Sequence, residues 1–230
     1  MSHAKNDPFK TFLQYPEALH LIGLIDGLKV LDIGCGPGLL TEQLAQNATV
    51  IGYDNSVKQI AQALENPLRR ANYIIADPHQ IEEEMLNQYG GIRFDKALST
   101  MVLQYSRDTH ELDAFFSSTS RLLNEQGILA SIIYNPDHQI DDAVRYQRKW
   151  SVEGKKLRVH FLDPTGKTVT SAVFNEFSRE NYETAARKSG FSLEWVNLKP
   201  SKAGIEALGE PYWREFLKNP AYIGFISRKK

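Results

Sequence analysis

The residues best equipped for chemistry in this chain are three aspartates and a cluster of glycines. The run Val30-Leu-Asp-Ile-Gly-Cys-Gly-Pro-Gly38 sets glycines at 34, 36 and 38, with Asp32 just before them and Cys35 between the first two. Glycines at this spacing allow tight backbone geometry and close approach of a ligand. The helix start expected behind them favours a carboxylate, and Asp32 could attract an ammonium. Asp54 follows Asp32 by 22 residues, the spacing at which an acid holds both hydroxyls of a ribose. Asp77 could accept from an adenine amino group. Three such acids at the ends of three consecutive strands define a cleft for an adenosine-containing ligand. A dinucleotide fingerprint would need a further glycine at position 39, where this chain has Leu39.

These residues need a scaffold of alternating elements. The short apolar runs Val30–Ile33, Val50–Tyr53, Tyr73–Ala76, Lys96–Ser99 and Ile128–Tyr134 read as strands buried on both faces. Between them lie helical patterns. Val57, Ile60, Ala61 and Leu64 form a stripe behind a Ser56 cap, and Leu112, Phe115, Phe116, Thr119, Leu122 and Leu123 form another. This rhythm predicts an α/β fold, a doubly wound parallel sheet with helices on both faces. Residues 1–27 supply a lead-in helix, Phe12 to Leu24. After Tyr134 the rhythm breaks. Residues 135–150 read as loop and then helix. Lys155–Leu162 and Thr168–Phe177 flank Asp163-Pro-Thr-Gly166 and read as a β-hairpin. Residues 135–177 are therefore an insertion, a lid on a single domain spanning 1–230.

Composition narrows the partners. The formal net charge of -1 argues against general nucleic-acid binding. The single cysteine rules out an intrachain disulfide, and the opening residues lack a charged-then-apolar export signal, so a cytoplasmic location is expected. No apolar run approaches the ~18 residues of a membrane span. The charge is uneven, however. Residues 143–170 hold seven Lys and Arg against two Asp and Glu. Two readings follow: a basic segment packing beside an acidic core, or an anionic acceptor held near Arg145, Arg148, Lys149, Lys155, Lys156 and Arg158.

From Leu28 onward the chain resembles the class I S-adenosylmethionine (SAM)-dependent methyltransferases, on the glycine run with Asp54 and Asp77. The resemblance implies a Rossmann-like seven-stranded sheet with an antiparallel last strand. It implies Gly34 and Gly36 against the methionine portion of SAM, within a turn that includes Cys35 and Gly38. It also implies Asp54 on the ribose, Asn55 and Pro78 flanking the adenine, and Ser99 facing the sulfonium. A narrower resemblance is to toxoflavin-synthase-like methyltransferases, on Met101-Val-Leu-Gln-Tyr105, Leu122-Leu-Asn-Glu-Gln-Gly127, the hairpin followed by Tyr182–Phe191, and Tyr212–Pro220. The chain departs from that pattern at its start, where few residues precede Pro8, and at Ala221, where a proline is frequent.

The reaction expected is methyl transfer to an O or N atom of a small-molecule acceptor. Nucleic-acid methylation is disfavoured, because Ser99-Thr-Met-Val102 follows the fourth strand in place of an Asn/Asp-Pro-Pro-aromatic tetrapeptide. SAM carries its own leaving group, so alignment matters most, and a base is needed only for a protonated nucleophile. No catalytic residue is assigned. Tyr15, Tyr105, Tyr134 and His138 are the candidate acceptor-binding residues, and no metal-ligand spacing stands out. The protein is expected to act as a monomer or homodimer. The alternatives are a SAM-binding sensor or partner without turnover, and a nicotinamide-dependent oxidoreductase.

Overall fold

A computed structural model describes residues 7–140 and 144–230. The chain opens in a helical segment whose middle, Lys10–Gln14, is π-helical, and continues as α1, Tyr15–Ile22. Pro16 explains the widened turn. It has no N–H for the carbonyl four residues back, on Phe12. That carbonyl instead accepts from Ser201 N at 2.7 Å. The helix therefore runs from before Phe12 and ends at Gly23, slightly earlier at both ends than its sequence pattern.

Four βα steps and a fifth strand follow: β1 (Lys29–Ile33), α2 (Leu39–Leu44), β2 (Thr49–Asp54), α3 (Val57–Leu64), β3 (Asn72–Ile75), α4 (Ile81–Tyr89), β4 (Phe94–Thr100), α5 (Thr109–Leu122) and β5 (Leu123–Tyr134). The insertion holds β6 (Arg148–Glu153), β7 (Lys156–Leu162) and β8 (Thr168–Asn175). The chain closes with α6 (Arg179–Lys188), β9 (Phe191–Val196), α7 (Lys202–Leu208), α8 (Glu210–Lys218) and β10 (Tyr222–Lys229).

The main sheet has seven strands in the order β3-β2-β1-β4-β5-β10-β9. The pairs among β1 to β5 are parallel, and β10 runs antiparallel to both its neighbours. Alternate side chains feed two cores. Leu31, Ile33, Ile51 and Tyr53 pack with Met85, Phe115, Phe116 and Tyr182 on one side. Val30, Val50 and Leu98 pack with Leu13, Leu21, Leu44 and Trp213 on the other. Strand order reverses between β1 and β4, so a crevice opens at their carboxyl ends.

The insertion differs from its sequence pattern. β6, β7 and β8 form a three-stranded antiparallel sheet, where a two-stranded hairpin was expected. Arg148–Glu153 is strand, not helix. Two features account for this. Trp150 is buried between exposed Lys149 and half-buried Ser151, a period of two. Glu153 pairs with Lys156 across a two-residue loop whose first residue, Gly154, has φ +64°, a geometry suited to a tight hairpin.

Candidate active site

The glycine run leaves β1 and turns into α2. Gly34 N and Cys35 N both donate to Tyr53 O, at 2.8 and 3.0 Å, which ties the turn to β2. Gly34 has φ +66°, and a Cβ there would lie 2.2 Å from Val102 Cγ2. Gly38 has φ +79°, and its Cβ would meet the Tyr73 hydroxyl at 2.3 Å. Both positions exclude a side chain.

Asp54 ends β2 and organises the turn. Its Oδ2 accepts from Gly36 N at 3.0 Å and its Oδ1 from Ser56 N at 2.8 Å. Those two amides fix the carboxylate, and each oxygen keeps a further lone pair. Asp77, just beyond β3, accepts from His79 N and Gln80 N through Oδ1, which closes the turn into α4. Gly34, Gly36, Asp54, Asn55, Asp77 and Pro78 all line one cleft of about 390 Å³. Tyr105 lines the same cleft, from the 3₁₀ turn Leu103–Tyr105 after β4.

Four expected cofactor residues sit behind that surface. Asp32 is buried beneath the turn, where its Oδ2 accepts from Thr41 Oγ1 at 2.6 Å. Burial pushes its carboxyl up to about 7; the Thr41 bond opposes this and the Asp54 charge adds to it. Cys35 turns its side chain into the wall against Gly52, and burial pushes its thiol up, away from nucleophilic character. Gly38 caps α2. Ser99 is fully buried, its Oγ has no hydrogen-bond partner among the described residues, and it lies outside the cleft lining. Between Ser99 and Tyr105 the cleft is lined by Met101 and Val102, which the sequence reading did not place in the cofactor site. Met101 has φ +62°, an uncommon geometry for a side-chain-bearing residue.

The acceptor candidates gather on the insertion's side. The Tyr105 ring lies 5.0 Å from that of Phe174, and Tyr134 stands 6.0 Å from Phe174 and 5.5 Å from His138. The three-stranded sheet therefore packs over the ends of β4 and β5. His138 Nδ1 lies 3.0 Å from Asn219 O. A carbonyl only accepts, so Nδ1 carries the proton, and in the neutral ring the lone pair sits on Nε2. Tyr15 is half-buried on the other side; burial raises its hydroxyl pKa, and the Asp32 and Asp7 carboxylates add to the effect.

The basic character of the insertion resolves into two faces. Trp150, Leu157, Val159 and Phe174 are buried on the inner one. Lys149, Lys156 and Arg158 share the opposite face, away from Tyr105 and Tyr134. Arg148 alone among the strand cations is buried. Its Nη2 meets both oxygens of Asp7 at 2.7 Å, and its guanidinium lies over the Phe9 ring at 4.6 Å. An anionic acceptor held by these strand cations is thus disfavoured by their placement. Among the described residues no group of His, Cys, Asp and Glu could hold a metal ion, and no helix is long and apolar enough to cross a membrane.

Comparison with known proteins bears on this arrangement. A family model described as a methyltransferase domain matches residues 24–189. The ubiquinone biosynthesis O-methyltransferase of Agrobacterium fabrum is 33% identical over 112 residues, covering 48% of this chain and 42% of that enzyme. The chain thus spans less than half the length of the curated relatives it matches. The SAM-dependent methyltransferase of Mesorhizobium loti shares the fold, with a TM-score of 0.66 and 21% identity over 94% of this chain and 97% of that one. So does SAM-bound CalS10, an amino pentose methyltransferase of Micromonospora echinaspora, with a TM-score of 0.64 and 18% identity over 94% of this chain and 87% of that one. These likenesses do not carry the narrower toxoflavin-synthase-like resemblance.

Proposed function

Because the chain belongs to the methyltransferase-domain family, we propose that it transfers a methyl group from SAM to an O or N atom of a small-molecule acceptor. The observation that carries this reading is the cleft itself, with Gly34 and Gly36 at one end and Asp54 and Asp77 along its side. Its volume of about 390 Å³ falls in the usual range for small-ligand sites.

The residues fit SAM on chemical grounds. The glycine turn has no room for side chains at Gly34 and Gly38. Asp54 is oriented by two backbone amides and offers both oxygens to the ribose hydroxyls. Asp77 has one oxygen committed to the α4 turn, and the other suits an adenine amino group. Asn55 and Pro78 form the sides of that part of the cleft. When bound, SAM supplies an electrophilic methyl on a good leaving group. The protein's share of the work is alignment and exclusion of water, which can supply roughly 7–11 kcal/mol.

The acceptor enters beside Tyr105, under the sheet β6–β7–β8, which serves as its lid within a single domain of residues 1–230. His138 is the residue best suited to take a proton, given the tautomer its Nδ1 contact imposes. The relatives' acceptors, named in ubiquinone biosynthesis and as an amino pentose, support a small molecule and leave its identity open. The lone cysteine suits a cytoplasmic enzyme, acting as a monomer or homodimer.

Calorimetric titration with SAM, S-adenosylhomocysteine and NAD tests the cofactor. Micromolar binding of the first two is expected, about -8 kcal/mol; preference for NAD would favour an oxidoreductase. Transfer of labelled methyl from SAM into a metabolite extract tests turnover. Tight SAM binding with no transfer would leave a sensor or partner protein.

A further inference from the structure

Behind the Tyr105–Phe174 contact lies a second, smaller cavity of about 40 Å³, lined in part by Gln104, Tyr134, His138, Phe174, Asn175 and Glu176. Gln104 is 2% exposed, and neither its amide nitrogen nor its amide oxygen has a hydrogen-bond partner among the described residues. Tyr134 is 8% exposed, and its hydroxyl is likewise unpartnered. Buried polar groups are nearly always paired, because an unpaired one forfeits its hydration. Here two adjacent side chains break that rule at one cavity, where the fold brings the carboxyl ends of β4 and β5 together.

The neighbours make the exception specific. Asn175 is committed, its Nδ2 donating to Ser106 O at 2.8 Å, which fastens β8 to the turn that carries Gln104. Gln104 and Tyr105 are consecutive on that turn; one lines the small cavity and the other the 390 Å³ cleft. A molecule lying against Tyr105 and Phe174 would thus reach both spaces. The walls mix aromatic and aliphatic side chains, with Tyr134, Phe174, Phe177 and Tyr182 beside Ile140, Val152 and Leu157. Of the two acids and bases at the rim, Glu176 is exposed and His138 is held at Nδ1 by Asn219.

We propose that Gln104 and Tyr134 form the polar end of the acceptor site and select an uncharged ring bearing hydroxyl groups. This rests on the methyltransferase reading above and names the acceptor class for it. A glutamine amide offers both a donor and an acceptor, and a tyrosine hydroxyl offers the same, so together they match hydroxyl groups. A cavity of about 40 Å³ admits a hydroxyl or two but not a ring, so the ring body lies at the Tyr105–Phe174 edge. The described cations of the small sheet's strands give a carboxylate or phosphate no countercharge here, because Arg148 is paired with Asp7 and Lys149, Lys156 and Arg158 face outward. Phenolic rings and sugar rings share the required chemistry.

The test uses the full chain loaded with S-adenosylhomocysteine, and three probes: catechol, methyl α-glucopyranoside and, as the charged control, benzoate. Binding is followed by saturation-transfer NMR in the parent, Gln104→Leu and Tyr134→Phe. The expected result is millimolar binding of catechol or of the glucoside to the parent, weakened at least fivefold in both variants, with the S-adenosylhomocysteine affinity within twofold of the parent. Which of the two binds identifies the ring. Failure of both probes to bind the parent overturns the proposal; so does equal binding to the variants, or benzoate binding as well as the neutral probes. Tyr134→Phe removes a single oxygen and decides the matter if Gln104→Leu does not fold. If S-adenosylhomocysteine itself does not bind the folded parent, the methyltransferase reading fails, and the same titrations without it still judge the subsite.

Discussion

Replacing Asp32 with asparagine should stabilise the protein above neutral pH and do so less in mild acid. Burial pushes the Asp32 carboxyl from an ordinary value of 3.8 up to about 7. At about 1.4 kcal/mol per pH unit, its ionised form costs the fold roughly 4 kcal/mol. The sign follows from proton uptake: between these two values the native state binds more protons than the unfolded chain. The stability contributed by the protonated acid is complete below about pH 3.8, falls as pH rises, and is gone above about pH 7. Asparagine never ionises, and its Oδ1 can still accept from Thr41. Its amide N–H groups lack an evident partner, which subtracts about 1–3 kcal/mol at every pH. The difference between pH values is therefore the diagnostic quantity. The advantage of Asp32→Asn over the parent should grow by about 2 kcal/mol from pH 5 to pH 7 and by only a few tenths more to pH 8. Urea titrations of both proteins at pH 5, 6, 7 and 8, extrapolated linearly, measure it. A gap between the two proteins that does not change with pH would refute the reasoning. S-adenosylhomocysteine carries the ammonium that Asp32 would attract in the proposed complex, so it should bind the parent more tightly from pH 6 to 8 and lose that gain in Asp32→Asn.

The remaining expectations concern the ribose, the buried arginine and the lid. Asp54→Ala should weaken SAM binding by roughly 2–4 kcal/mol and Asp54→Asn by less, as read by calorimetry; parent-like binding in both would remove Asp54 from the ribose. Arg148→Met should cost about 3–5 kcal/mol of stability by leaving the half-buried Asp7 without its guanidinium partner and opening a gap beside Phe9, and adding Asp7→Leu should recover part of it. Shortening the loop at Asp163–Gly166 should leave SAM affinity nearly unchanged while turnover falls, because closure over the acceptor is lost. Lower melting temperature with full turnover per folded molecule would make the small sheet a structural support only.

Much of this architecture could be read in advance because its signals are local. Ser56 caps the helix it precedes, and the stripe Val57, Ile60, Ala61 and Leu64 follows it. The strand leading to Asp54 is apolar because both sheet faces are covered there, whereas β3, at the sheet's edge, keeps the apolar run before Asp77 but leaves Ile75 exposed. Once parallel strands were placed, the acids at their ends had to share one edge, and so the cleft followed. β6 was missed for a local reason too. Residues 135–150 read as loop and then helix, whereas the positive φ of Gly154 lets the chain turn there and end the strand that starts at Arg148. α7 and α8 lay outside that reading: Ser201, which caps α7, is placed by its N–H bond to Phe12 O far along the chain, and Trp213 Nε1 of α8 donates to Gly204 O of α7.

Charge in the insertion shows where local reading ends. Seven cations in residues 143–170 invite the idea of an anionic ligand, and no count of charges tells which way each one faces. Register does. One residue's difference along β6 puts Lys149 in solvent and Arg148 against Asp7, 141 positions earlier in the chain. That pair is costly to bury and worth keeping only where geometry is good, and here the guanidinium also lies over Phe9 and near Phe161. Its consequence is mechanical. The segment before α1 and the first strand of the small sheet are held to one another. If the small sheet acts as the proposed lid, swinging β6 away from Phe9 would break the Arg148–Asp7 pair. Moving β8 would instead break the Asn175–Ser106 bond and the contacts of Phe174 with Tyr105 and Tyr134, which predicts that the acceptor enters along β8, past Tyr105.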